Sequence, residues 1–166
     1  MICLDTNPPP IQSGCACRGD SALAHIDCRI QAALSQQGAL RLTKPWSQCR
    51  TCKQDFTGPM QMALAEAWWS RVRDDDEESP ERRAAQRNLA VALLGQGKDA
   101  EAEPMLRRLH EVSMRVYGAE HPVTLLVASI LATSLSHQGK YADAERIERK
   151  VLGCRSACSE PSIRAR

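Results

Sequence analysis

Aromatic side chains are scarce in this chain, with one Phe, two Tyr and three Trp among 166 residues. The apolar content is mostly Ala and Leu, which favours closely packed helices over a β-rich core. An excess of charge of one sign is also lacking. Lys and Arg number 22 against 20 Asp and Glu, a net charge of +2, so there is no general pull towards nucleic acid. Long apolar runs are missing too. The longest nearly apolar stretch, Leu125 to Leu135, is about half of the roughly 20 residues that a membrane-spanning helix needs. The segment from Met1 to Pro10 has neither a basic n-region nor an apolar h-region, so no secretory signal is expected. These absences point to a soluble protein in a reducing compartment, the cytoplasm or the nucleus, where clustered cysteines bind metal more often than they form disulfides.

Cysteine, by contrast, is abundant and unevenly placed. Six of the eight lie in the first 52 residues, and two, Cys154 and Cys158, lie near the far end. In order, the ligand-type residues of the first segment are Cys3, Cys15, Cys17, His25, Cys28, Cys49 and Cys52, spaced C-x11-C-x-C-x7-H-x2-C-x20-C-x2-C. Zinc takes four thiolate or imidazole ligands in a tetrahedron, and ligands close in sequence supply two at a time at little cost in loop entropy. Cys15/Cys17, His25/Cys28 and Cys49/Cys52 are three such pairs. A disulfide fold and a chance cluster are the competing accounts of the same residues. Cys154 and Cys158 have no partner pair beside them and read as free thiols. The segment 1–57 is poor in large apolar side chains, so bound metal is expected to supply folding energy in place of a core.

The rest of the chain reads as helix. A short helix is expected between Ala24 and Gln37, where Ile26, Ile30, Ala33 and Leu34 recur at helical spacing, and Gly58-Pro59 marks a boundary. Five further helices are placed near 60–74, 80–95, 99–117, 121–137 and 141–152. Ser79-Pro80 is a helix start signal, and Gly97, Gly118 and Gly139 fall where helices should end. The acidic run Asp74 to Glu78 is a solvated linker. Gln96-Gly97-Lys98-Asp99-Ala100-Glu101-Ala102-Glu103 recurs as Gln138-Gly139-Lys140-Tyr141-Ala142-Asp143-Ala144-Glu145, an offset of 42 residues. Self-similarity of this period is a sign of stacked helical repeats.

Two resemblances attach to these residues. The first segment resembles the RING-CH (RING-variant) zinc finger in its ligand order and in Cys17-Arg18-Gly19, His25-Ile26-Asp27-Cys28, Trp46 and Cys49-Arg50-Thr51-Cys52-Lys53. The cross-braced order of that family implies one complete zinc site from Cys15, Cys17, Cys49 and Cys52. It implies a second from Cys3, His25 and Cys28, which lacks one ligand. Asp5 and Asp27 are near enough in sequence to be considered for the gap. The family's activity is to dock a ubiquitin-conjugating enzyme and promote ubiquitin transfer without a covalent intermediate. On that basis Ile2, Trp46 and Lys53 are the expected docking residues. The chain departs from the family in starting with one Cys where a pair is usual, and in having Arg50-Thr51, with no proline, inside the last pair.

The second resemblance covers roughly residues 80–152. Asn88-Leu89-Ala90, the two Gln-Gly-Lys turns, Ala100 to Pro104 and Gly118-Ala119-Glu120-His121-Pro122 are similar to tetratricopeptide repeats of the kinesin light chain type. Such repeats bind peptides or protein partners. The expected fold is mostly α: a small cross-braced α+β zinc finger over 1–57, a helix and acidic linker over 58–79, tetratricopeptide-like repeats over 80–152 and a flexible tail from 153 to 166. The expected function is a zinc-binding ubiquitin ligase or ligase-like adaptor whose repeats hold a protein target. A non-catalytic zinc-finger and repeat scaffold is the alternative. Nucleic-acid binding by Arg18, Arg29, Arg41, Lys44, Arg50 and Lys53 is disfavoured because no aromatic stacking surface accompanies them.

Overall fold

Proline and glycine set most of the helix boundaries. In the computed structural model, which describes residues 8–40 and 44–159, the elements are two short strands and six helices. These are β1 (Ile11–Gln12), β2 (Leu23–Ala24), α1 (Ile26–Leu40), α2 (Gly58–Val72), α3 (Pro80–Leu94), α4 (Asp99–Tyr117), α5 (Pro122–His137) and α6 (Tyr141–Ser159). Pro59, Pro80 and Pro122 each sit in a first helical turn, where the missing N–H costs nothing and the fixed φ is already helical. Ser79 caps α3, its Oγ accepting from the Arg82 N–H at 3.4 Å. His121 caps α5 through Nδ1, which accepts from the Val123 N–H at 3.2 Å. Gly97 and Gly139 occupy equivalent places in the repeat with φ of 72° and 76°, a left-handed conformation that glycine adopts at little cost.

The chain divides into two compact units, residues up to Gly97 and residues from Lys98 onward. In the first, β1 and β2 pair antiparallel with Ile11 opposite Ala24. One core joins the cysteine-rich segment to the helices after it: Ala33, Trp46, Cys49 and Phe56 bury with Met60, Leu64, Trp68 and Val72 of α2 and Ala85 of α3. The expected boundary at 57/58 therefore cuts through a core. Trp46 and Phe56 bury against α2, so apolar burial, together with any metal, organises this segment.

In the second unit α5 packs against both α4 and α6. Leu106, Leu109 and Val112 of α4 are buried along one face, whereas Leu125, Val127, Leu131 and Leu135 of α5 are buried around the helix, as its packing against two neighbours requires. The N-terminus of α4 is tied to the end of α5 by side chains far apart in sequence. His137 Nδ1 lies 2.9 Å from Asp99 Oδ1, and Ser134 Oγ donates to the Asp99 carbonyl at 3.2 Å. Lys140, in the second Gln-Gly-Lys turn, reaches Glu103 on α4 at 2.7 Å.

The fold is mostly α, with a small cysteine-rich region of little strand followed by a helical repeat. α3 and α5 start at Pro80 and Pro122, and α4 and α6 at Asp99 and Tyr141, the same 42-residue offset as in the sequence. α6 runs on through Ser159, past the helix end expected near 152, because Gly153 weakens a helix by only about 1 kcal/mol and no proline intervenes before Pro161. No described helix is long and apolar enough to cross a membrane.

Candidate metal centre

The centre is built from two loops, one on either side of α1. Gln48 and Asp55 form a bridge, and the Cys49 N–H donates to the Gln54 carbonyl at 2.8 Å, so residues 48–55 make a tight hairpin around Cys49 and Cys52. The turn closes when the Lys53 N–H donates to the Cys49 carbonyl at 2.9 Å. This places Lys53 at φ 61°, the one described non-glycine residue with positive φ. The other loop follows β1. Ser13 is fully buried with its Oγ 3.2 Å from Cys15 Sγ, and Gly14 then turns the chain at φ 68°. A Cβ on Gly14 would lie 2.5 Å from the Thr57 carbonyl oxygen, and Thr57 Oγ1 donates to the Gly14 carbonyl at 2.8 Å. Only glycine allows this approach, which joins the two loops.

The result is four sulfurs in one place. The Sγ atoms of Cys15, Cys17, Cys49 and Cys52 all lie within 4.8 Å of one another, and Cys17 and Cys49 are 3.7 Å apart. A tetrahedral site with metal–sulfur bonds of about 2.3 Å has edges of about 3.8 Å. The dimensions and the soft donor set therefore suit a tetrahedral dication.

Backbone amides prepare the sulfurs for charge. The Cys49 thiol is lowered to about 6: burial, the largest single effect, opposes ionisation, but the N–H groups of Cys52 and Thr51 and the thiols of Cys15 and Cys52 outweigh it. Cys52 is also lowered, chiefly by the Gln54 N–H, with help from the Ala16 N–H of the opposite loop. Cys17 is pushed up to about 12, first by its hydrogen bond with Cys15, then by burial and by the neighbouring Cys49. Without a cation the cluster thus favours charge on Cys49 while Cys17 keeps its proton. A bound dication removes that conflict, because it attracts every sulfur at once.

The remaining expected ligands are distributed differently. His25 is buried just before α1, with Nδ1 3.9 Å from Cys28 Sγ one turn later and Nε2 buried without a hydrogen-bond partner among the described residues. Cys3 and Asp5 lie outside the described residues, as does the expected docking residue Ile2. Trp46, expected on a docking surface, is a core residue instead. It is 1% exposed and stacks on Trp68 with ring centroids 5.8 Å apart and planes 8° from parallel. With both faces enclosed it presents nothing to a partner. Lys53 is exposed, and its Nζ donates to the Arg50 carbonyl at 2.6 Å. Arg29, counted among the cations, lies over the Phe56 ring at 5.2 Å. Sequence reasoning missed Ser13, Gly14 and the amides of Thr51 and Gln54. Ser13-Gly14 is a turn-forming dipeptide directly before Cys15, and it is the one local signal in the sequence for any of them.

Comparison with known families matches residues 81–157 to the tetratricopeptide repeat. No curated protein matches the chain.

Proposed function

We propose that the protein is a zinc-stabilised interaction module, in which a four-cysteine site organises the N-terminal unit and tetratricopeptide-type helices bind a protein or peptide target. The observation that carries this reading is the convergence of Cys15, Cys17, Cys49 and Cys52 from two loops onto one point, in a chain that matches a repeat family over residues 81–157. Zinc is the metal proposed because it accepts four thiolates in a closed tetrahedron and needs no open position to stabilise a fold. Metal analysis of chain purified under reducing conditions should find tightly held zinc. Iron in its place, or chain that is folded and metal-free, would sink the zinc reading.

A second reading, a RING-type ubiquitin ligase or ligase-like adaptor, is favoured by one feature. The four sulfurs come from the first and last pairs, while the His25/Cys28 pair lies between them in sequence and stays together at 3.9 Å. That alternation is the order of a cross-braced finger, with His25, Cys28 and Cys3 proposed as an incomplete second site. Docking of a ubiquitin-conjugating enzyme would then fall to Ile2 and Lys53. Ubiquitin chain formation by purified protein with a broad panel of conjugating enzymes tests this reading, and its absence across the panel leaves the non-catalytic scaffold.

A further inference from the structure

The four sulfurs that suit a metal are also placed to react with one another. Cys17 Sγ and Cys49 Sγ lie 3.7 Å apart across the two loops, inside a cluster whose sulfurs are all within 4.8 Å of one another. Cys49 is 1% exposed, whereas Cys15, Cys17 and Cys52 are each half-buried. Solvent reaches Cys17 from a loop whose neighbours Ala16 and Arg18 are exposed. An accessible sulfur beside a buried one can react with an oxidant and then be resolved by its neighbour. More than sulfur holds the two loops together. Thr57 Oγ1 donates to the Gly14 carbonyl at 2.8 Å, and the Gln48–Asp55 bridge closes the hairpin that carries Cys49. Cys17 and Cys49 therefore face each other from a hydrogen-bonded frame.

We propose that the four-cysteine centre is a hydroperoxide-responsive site, in which Cys17 and Cys49 join as a disulfide and the metal is given up. Cys17 Sγ attacks the terminal oxygen of a hydroperoxide. An S–O bond forms, the O–O bond breaks, and the departing oxygen takes a proton from solvent and leaves as an alcohol. Cys49 Sγ then attacks the sulfur of that sulfenic acid. The S–S bond forms, the S–O bond breaks, and the hydroxyl takes a second proton and leaves as water. Two electrons pass from the pair of sulfurs to the peroxide. Cys15 and Cys52 are left, two thiolates where a closed zinc site takes four. The disulfide is a reversible product, and a dithiol returns both sulfurs by exchange. This rests on the reading of the centre as a zinc site, and it adds a chemical signal to which the N-terminal unit answers.

The test treats the full chain, its zinc content already measured, with hydrogen peroxide. Released zinc is read with a chromophoric chelator, and bonded cysteines by peptide mapping without reductant. Zinc release and a disulfide between Cys17 and Cys49 should rise together, and dithiothreitol followed by zinc should restore the starting state. Arg50 lies between Cys49 and Cys52, so trypsin separates them and the map tells which is bonded. Cys154 is half-buried on α6 and outside the cluster. It serves as an internal reference and should oxidise about tenfold more slowly. Cys17→His keeps a zinc ligand but cannot form the disulfide, so its metal should be lost about tenfold more slowly. The wild-type map decides the matter even where that variant fails to fold. Zinc retained at peroxide doses that oxidise Cys154, a disulfide confined to Cys49 and Cys52, or passage to sulfinic acid without a disulfide would overturn the proposal. Chain that carries no zinc before treatment counts against the broader reading, and its map still tests the pairing of Cys17 with Cys49, so the two failures are distinguishable.

Discussion

Backbone amides and neighbouring thiols together set which sulfur in the cluster ionises first. Cys49 accepts from the amides of Thr51 and Cys52 and is lowered to about 6, while Cys17 is raised to about 12. Metal binding must displace the Cys17 proton, so affinity should fall steadily as pH is lowered, as competition with a chromophoric chelator would show. Cys49→Ser removes the ligand most ready to bind. It should cost more than the about 10–100-fold that loss of a supporting residue costs. Gly14→Ala is expected to be severe for its size, because the added Cβ meets the Thr57 backbone oxygen at 2.5 Å at a positive φ. About 2 kcal/mol of stability should be lost in urea titrations. Lys53→Gly, in contrast, should stabilise slightly by relieving φ 61°. The pairing of cysteines was legible at this scale because ligand spacing is local. The amides that tune them were not, since backbone N–H groups leave no mark in a sequence.

Individual helices were legible wherever Pro, Ser or Gly punctuates them, and the 42-residue offset fixed their order. What holds the helices together was less so. Nothing local marks Asp99 as the partner of Ser134 and His137, or Glu103 as the partner of Lys140. Those contacts span a whole repeat and exist only once α4 and α5 pack. Glu103 has a side chain 12% exposed, and its carboxyl is lowered to about 2, first by the hydrogen bond from Lys140 and then, against the opposing effect of burial, by Arg107. A depressed carboxyl contributes its stability in full above the ordinary value of 4.5 and loses it as pH falls towards 2. Thermal melts of the wild type and of Glu103→Gln should therefore differ above pH 4.5 and converge as pH approaches 2. On α2, Trp68→Ala should cost about 3–5 kcal/mol and weaken metal retention, since Trp68 shares a core with Cys49.

For the molecule as a whole, the partition into units differs from the one that composition suggests. The sequence changes character at Gly58-Pro59, yet the compact units meet at Gly97 and Lys98. The reason is that Trp46 and Phe56 find their apolar partners on α2. Composition reports where polar text ends, whereas burial decides where a unit ends. Stripping metal with a strong chelator should therefore raise amide hydrogen exchange across the hairpin of residues 48–55 and into α2, while α4 to α6 keep their protection. Uniform loss of protection over both units would contradict independent units, and no change at all would contradict a structural metal.

Trp46 and Trp68 lie face to face in the core that also takes in Cys49, and they are two of only three indoles in the chain. Parallel rings at that spacing couple their electronic transitions, and nearby thiolates quench indole emission. The protein should consequently carry its own optical gauge of metal occupancy. Titrating metal into stripped chain ought to brighten its ultraviolet fluorescence and build a near-ultraviolet dichroic signal, with no label attached.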